Sequence, residues 1–167
     1  DDRPPARGTY ETPIEDDPFS VPLERKIADL LAADEAAARV KGIAFTESMY
    51  AAQREWKTFA ATDGSFIEQT TTHCGSAVEA NAIDGDEHQR RSFPDSGGGW
   101  NAAGYEYIRS LRLAERAEPI AAEAVALLTA PQCPSGRFTI VLDPSQLYLQ
   151  VHESCGHPTE LDRALGW

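Results

Sequence analysis

The residues best suited to chemistry lie in one short stretch, residues 152–162. It holds two imidazoles, three carboxylates and a thiol. Imidazole is a common zinc ligand, and a carboxylate beside it can take a proton from a water on the metal. These residue types therefore predict metal-assisted hydrolysis. The competing interpretation is a solvated helix that carries two histidines by chance.

The residues that precede this stretch predict the elements that position it. Residues 137–142 are a short continuous apolar run, which is typical of a strand covered on both faces. A helix start follows this run. Asp143 is the expected cap, Pro144 lies at the first helical position, and Gln146 is the second partner of a capping box. We therefore expect the motif to begin about two turns into a helix that leaves a buried strand.

The spacing of the two histidines excludes a regular helix as a metal site. His152 and His157 are five residues apart, which rotates the second imidazole by about 140° from the first. Either the helix is distorted near Gly156, or it ends there and His157 reaches back from a turn. Pro158 disfavours the α conformation at the residue before it, so the sequence favours the break.

The rest of the chain predicts an α+β fold, in which an N-terminal helix packs on a mostly antiparallel sheet and is followed by helices, the buried strand and the motif-bearing helix. The expected division is an extended lead-in over 1–19, a domain over 20–130, and the strand with its helix over 131–167. The first helix is predicted from a cap at Ser20 to about Val40. Its core face is predicted from the helical spacing of Leu23, Ile27, Leu30 and Leu31.

A meander is predicted between Gly42 and Phe93, where β-branched and aromatic residues alternate with polar ones. Asp63-Gly64 lies between two such runs and is a strong hairpin signal. Residues 66–73 and 77–83 are expected to form separate returning strands. The later helices are predicted from the spacing of Tyr105, Ile108 and Leu111, and then from Pro119 onward with Ile120, Ala124, Leu127 and Leu128 in the core.

Composition limits the possible partners and compartments. The net charge is -12, which argues against nucleic acid as the main partner, because affinity for nucleic acid rests on neutralised phosphates. No apolar run approaches the roughly 18 to 20 residues needed to span a bilayer, so no membrane segment is expected. Three scattered cysteines do not predict a disulfide framework and favour a reducing, cytoplasmic setting. An initial Asp1 and a final Trp167 close to the motif indicate that both ends are cut.

Two other stretches are weaker candidates. His73 and Cys74 are adjacent on a predicted strand, so their side chains point to opposite faces and a shared metal is improbable. Residues 96–100 are glycine-rich but lack the Gly-Lys-Ser/Thr ending of a P-loop, which favours a flexible connection.

The motif resembles that of the TldD/PmbA family, the TldD-type metallopeptidases once described as modulators of DNA gyrase. The similarity lies in the pattern His-Glu-x-x-Gly-His-x-x-Glu-x-Asp. The residues that match it are His152, Glu153, Gly156, His157, Glu160 and Asp162. The hairpin and the helix with its meander are also similar to the family's N-terminal domain, so the looser resemblance covers most of residues 20–167.

The resemblance implies a zinc-dependent peptidase that cleaves small or unfolded peptides. The resemblance implies that His152 and His157 bind Zn²⁺ and that Glu153 polarises the attacking water. Glu160 and Asp162 match positions that orient the ligands, with a structural salt link as an equal alternative for each. Cys155 falls where relatives carry unrelated residues and is not assigned as a ligand.

The resemblance also implies what this chain lacks. The family's third ligand is a cysteine in a later domain, so we expect the chain alone to hold an incomplete site and to be inactive. A homologous partner is implied, either a PmbA/TldE-type subunit in a heterodimer or a second copy in a homodimer. The alternative function is a non-catalytic interaction module of such a peptidase pair. Nucleic-acid modulation is disfavoured by the charge.

Overall fold

The computed structural model describes residues 4–95 and 98–167, and the chain divides into two compact units, residues 1–130 and 131–167. The elements of the first unit are β1 (Arg7–Glu11), α1 (Leu23–Ala38), β2 (Ile43–Ala60), β3 (Phe66–Asp84), β4 (Glu87–Phe93), β5 (Gly99–Asn101), α2 (Tyr105–Leu111) and α3 (Leu113–Leu127). Those of the second are α4 (Pro144–Val151), a π-helix (His152–Gly156), a 3₁₀-helix (His157–Thr159) and α5 (Leu161–Leu165).

A mixed sheet built around β3 forms the centre of the first unit. β2 pairs with β3 in antiparallel register from Ile43 opposite Ala82 to Ala60 opposite Phe66. The other edge of β3 is shared by β1, which runs parallel to it, and by β5 and β4, which run antiparallel. The prediction of an α+β fold with a mostly antiparallel sheet is confirmed.

The hairpin between β2 and β3 forms where the sequence predicts it. The Asp63 carboxylate accepts a hydrogen bond from the Ser65 amide at 2.8 Å, and Gly64 has a φ of +91°, which favours glycine. The prediction of two separate returning strands is wrong, because β3 continues without interruption from Phe66 to Asp84. Gly75 lies inside this strand, and the Trp100 ring of β5 occupies the space beside it that a side chain would fill.

The lead-in predicted over residues 1–19 contains a strand that its composition did not reveal. Arg7–Glu11 forms β1, which adds to the sheet beside the start of β3. After β1, the amide of Thr12 donates to the Thr70 carbonyl at 3.0 Å, and the Thr12 hydroxyl accepts from the Thr72 amide. These bonds hold the lead-in against the sheet.

The core of the first unit is built from small residues on α1 and α3. Fully buried alanines on the two helices are Ala33, Ala37, Ala117, Ala121 and Ala124. Since alanine leaves space for a close helix contact, α1 and α3 pack together over Val78 of β3. The predicted core face of α1 is therefore wrong in part, since Leu30 packs at the core but Leu23, Ile27 and Leu31 are exposed.

The helix starts of the first unit differ from their predictions. α1 begins after Pro22 with no side-chain cap, and the Ser20 hydroxyl donates to Asp17 instead.

α3 begins at Leu113 rather than at Pro119, which lies inside the helix. Arg112, with a left-handed φ of 49°, is the single residue between α2 and α3 and sets the turn between them. The helix of Tyr105 and Ile108 is confirmed, with both side chains buried.

Gly104 allows a close backbone contact that fixes the start of α2. A Cβ at this position would lie 2.3 Å from the Asp16 carbonyl oxygen, which accepts the Tyr105 amide at 2.9 Å. We expect Gly104→Ala to lower the free energy of unfolding by about 1–3 kcal/mol, as overpacking against backbone does. Urea unfolding checks this, with Gly8→Ala as the matched control because a Cβ there meets nothing within 4 Å. Equal midpoints for the two variants would contradict it.

The predicted strand over residues 137–142 is not formed. Residues 131–142 have no regular structure, and the Val141 side chain is 94% exposed. A strand needs hydrogen bonds from a neighbour, and in the described residues every strand belongs to the first unit.

Ser96 and Gly97 of the glycine-rich stretch lie outside the described residues, while Gly99 begins β5. Among the helices of the described chain, none is long and apolar enough to cross a membrane.

Candidate metal centre

The helix that leads to the motif starts at the predicted residues, although in the described chain the Gln146 side chain makes no hydrogen bond that would close the predicted capping box. Asp143 is the N-cap of α4, and its carboxylate accepts a hydrogen bond from the Ser145 amide at 2.9 Å. This bond lowers the pKa of the Asp143 carboxyl. Pro144 occupies the first helical position, where no amide hydrogen is needed. The cap thus sets Pro144 as the first residue of α4, and His152 lies eight residues after Pro144.

The helix does not break at the motif but widens into a π-helix over His152–Gly156. The His157 amide donates to the His152 carbonyl, which is the five-residue bond of a π-turn. The favoured alternative of a break is therefore wrong, and the distortion is correct. His157 keeps α-helical angles of φ −63° and ψ −41° although Pro158 follows it, and Gly156 has a φ of −66° that any residue can adopt. The widening thus uses none of glycine's special backbone freedom.

The π-turn brings the two histidines to the same side of the chain. Residues five apart lie one above the other when the hydrogen bond spans five residues, and the centroids of the His152 and His157 rings are 4.4 Å apart. Ligand atoms of His152, Glu153 and His157 all lie within 4.8 Å of one another. In the described part of the chain this is the only such group of three.

Glu160 holds the ring of His157. The Glu160 Oε1 atom lies 2.7 Å from His157 Nδ1, and this hydrogen bond is the main cause that lowers the pKa of the Glu160 carboxyl. An ionised carboxylate only accepts, so Nδ1 carries the hydrogen and the Nε2 lone pair of His157 is left for a ligand. Arg163 lies 3.4 Å from the other carboxylate oxygen. Metal-binding histidines characteristically have such a carboxylate partner.

The donors present fit a zinc ion. Two imidazoles are a common part of hydrolytic zinc sites and a carboxylate beside them can act as a base, and the ligand atoms of these three side chains lie within 4.8 Å of one another. His152 and Glu153 have half or more of their side chains exposed, and His157 has 37%, so solvent reaches the group. The group is therefore accessible to a metal and to a substrate.

Two residues of the motif lie outside this group. Asp162 lies in the first turn of α5, and within the described chain its carboxylate makes no hydrogen bond or ion pair, so its orienting role stays a prediction. Cys155 is exposed and unpaired by disulfide, and it does not join the three ligand residues.

The other sequence candidate is part of the core. Cys74 is fully buried beside Tyr105 and Ile108, and burial raises the pKa of its thiol. Neither His73 nor Cys74 belongs to a group of three metal-binding side chains among the described residues.

Sequence reasoning missed the contribution of Thr159. Its hydroxyl donates to the carbonyl oxygens of Cys155 and Gly156, at 2.9 and 3.0 Å. The available signal was Pro158, since a residue without an amide hydrogen in a helical segment leaves carbonyls that need another donor.

Comparison with known proteins decides the family. Residues 16–130 match the family model described as the PmbA/TldA metallopeptidase central domain. The chain belongs to the PmbA/TldD family. A protein named a metalloprotease from Methanothermobacter thermautotrophicus is 32% identical over 148 residues, which are 89% of this chain and 32% of that protein. A second protein named a metalloprotease, from Methanocaldococcus jannaschii, is 32% identical over 111 residues, which are 65% of this chain and 23% of that protein.

These matches bear on the site in two ways. The family match lies within the first unit and ends at residue 130, so it is independent of the motif that suggested the same family from the sequence. The chain spans about a third of the length of the first relative and about a quarter of the second. The protein is thus a metallopeptidase-family chain that corresponds to part of its relatives.

Proposed function

We propose that this chain is the part of a zinc-dependent peptidase that holds two protein ligands and the catalytic base. The observation that carries the proposal is the π-turn, which gathers His152, Glu153 and His157 within 4.8 Å. His152 and His157 would hold the zinc, and the names of the two archaeal relatives support a metal-dependent peptidase.

Each residue has a defined part in peptide hydrolysis. Zinc, when bound, lowers the pKa of a water molecule toward neutrality and polarises a substrate carbonyl. Glu153 accepts the proton of the attacking water at a carboxylate oxygen and passes it to the leaving amine. Glu160 keeps the hydrogen of His157 on Nδ1, so that Nε2 is the atom that would bind the zinc.

The proposal extends to what completes the site. Zinc is usually held by three protein ligands in hydrolytic sites, and two are present here. A downstream cysteine is proposed as the third, so the chain alone is expected to bind zinc weakly and to lack activity. The proposed substrates are small or unfolded peptides, and the proposed partner is a homologous subunit, either of the PmbA/TldE type or a second copy.

The proposed compartment is the cytoplasm. Cys74, Cys133 and Cys155 are all free, and two of them are exposed. Exposed thiols persist in reducing surroundings, which supports this assignment.

Zinc content tests the proposed function. We expect the full-length protein, purified without chelator, to carry one zinc per chain by elemental analysis and to cleave unstructured peptides, and we expect dialysis against a chelator to remove both. Absence of stoichiometric zinc from such a preparation, or cleavage that survives removal of the metal, would refute the proposal.

A further inference from the structure

We propose that Thr159 is a positioning residue, whose hydroxyl maintains the π-turn and thereby the mutual placement of His152 and His157. The inference rests on the proposed function only in its consequence for zinc. The contacts that carry it lie entirely within residues 152–160.

The backbone at this place lacks donors. Pro158 has no amide hydrogen, so one carbonyl of the preceding turn loses its usual partner. The Glu160 amide, which in an α-helix would reach the Gly156 carbonyl, donates instead to His157 at 3.1 Å. Gly156 is the N-cap of the 3₁₀-helix, so its carbonyl accepts the Thr159 amide, which in an α-helix would reach Cys155. The Cys155 carbonyl is therefore left without a backbone donor.

The Thr159 hydroxyl supplies the missing donor. Its Oγ1 lies 2.9 Å from the Cys155 oxygen and 3.0 Å from the Gly156 oxygen, so one hydrogen is shared between two carbonyls. In a regular helix a threonine that bonds back in this way competes with backbone bonds that already exist. Here the bond to Cys155 supplies a donor that the backbone does not provide, which makes it stabilising.

The bond acts on the histidines because of where it falls. Cys155 and Gly156 are the last residues of the π-helix, and His157 follows them directly. Loss of this hydrogen bond would lower the stability of the π-helix relative to a regular α-helix. In a regular α-helix the two imidazoles would lie about 140° apart around the helix axis. Two ligands so separated cannot share one ion.

The test compares Thr159→Val and Thr159→Ser with the unmodified full-length protein. Valine keeps the size of threonine and loses the hydroxyl, whereas serine keeps the hydroxyl. We expect Thr159→Val to weaken zinc binding about fivefold, the range of one solvent-exposed hydrogen bond, and Thr159→Ser to stay within about twofold. Competition with a chromophoric chelator measures the affinity. Thr58→Val, an exposed β2 site in the first unit, is the matched control.

A second measurement does not depend on the metal. Amide hydrogen exchange of His157 in the zinc-free protein reports the bond from this amide to the His152 carbonyl, and we expect it to be about fivefold faster in Thr159→Val and restored in Thr159→Ser. Unchanged exchange in Thr159→Val, or equal effects of valine and serine, would overturn the assignment to the hydroxyl. If the unmodified protein binds no zinc, the proposed function fails while the exchange data still decide the role of Thr159.

Discussion

Replacing Glu153 with glutamine is expected to lower kcat for peptide cleavage by about 1,000-fold in the full-length protein while zinc remains bound. Glutamine has nearly the shape of glutamate but cannot accept the proton of the attacking water. The Glu153 carboxylate lies within 4.8 Å of both histidine ligand atoms, which is where the proposed catalytic base would have to be. Steady-state kinetics on an unstructured peptide, with zinc content measured on the same sample, checks both halves of the expectation.

Glu118→Gln is the matched control for this variant. Glu118 is an exposed residue of α3 in the first unit, and the same chemical change there should leave cleavage unaltered. Cleavage by Glu153→Gln at the unmodified rate would remove Glu153 from the mechanism. Loss of cleavage together with loss of zinc would assign Glu153 to metal binding instead of proton transfer.

His157→Ala is expected to weaken zinc binding by about 100-fold or more. Removal of a residue that hydrogen-bonds to a metal ligand typically lowers metal affinity 10–100-fold. Removal of the ligand itself should lower the affinity by much more than 10-fold. The variant also leaves Glu160 without the imidazole that it holds at 2.7 Å. Chelator competition measures the effect, and peptide cleavage should fall with it.

The control for the histidine variant is His88→Ala. His88 lies on β4 in the first unit, where its ring contacts Asn81, so this change removes an imidazole without touching the motif. Zinc affinity should be the same as in the unmodified protein. Retention of zinc by His157→Ala, with the control also unchanged, would show that the metal is held elsewhere.

Features that depend on neighbouring residues in the chain were predictable from the sequence. The Asp143 cap and the proline after it define the start of α4, because a cap needs only a side-chain oxygen beside the first free amides. Asp63-Gly64 defines the hairpin for a similar local reason. The types and spacing of His152, Glu153 and His157 indicated metal chemistry, and the spacing alone required a departure from regular helix, either a distortion or a break.

The shape of that distortion was not predictable from residue preferences. Pro158 disfavours helical angles at His157, and the sequence therefore favoured a break. The structure keeps those angles, and the His157 amide donates to the carbonyl five residues earlier instead of four. A preference at one residue is small and is outweighed when several hydrogen bonds act together. Here the bonds made by the His157 amide and the Thr159 hydroxyl favour the wide turn.

Tertiary structure alone decided which apolar residues are covered. Helical spacing identifies a face of α1 but not its neighbour, and the face that packs on α3 is the one with Ala33 and Ala37, because small side chains permit the close approach. Residues 137–142 carry the pattern of a buried strand but form none, because a strand needs a hydrogen-bonded neighbour that the pattern itself does not supply. The sequence by itself thus determined the hairpin turn and the start of α4 and identified the residues of the proposed metal centre. Burial required the positions of distant elements, since apolar contact depends on what lies opposite.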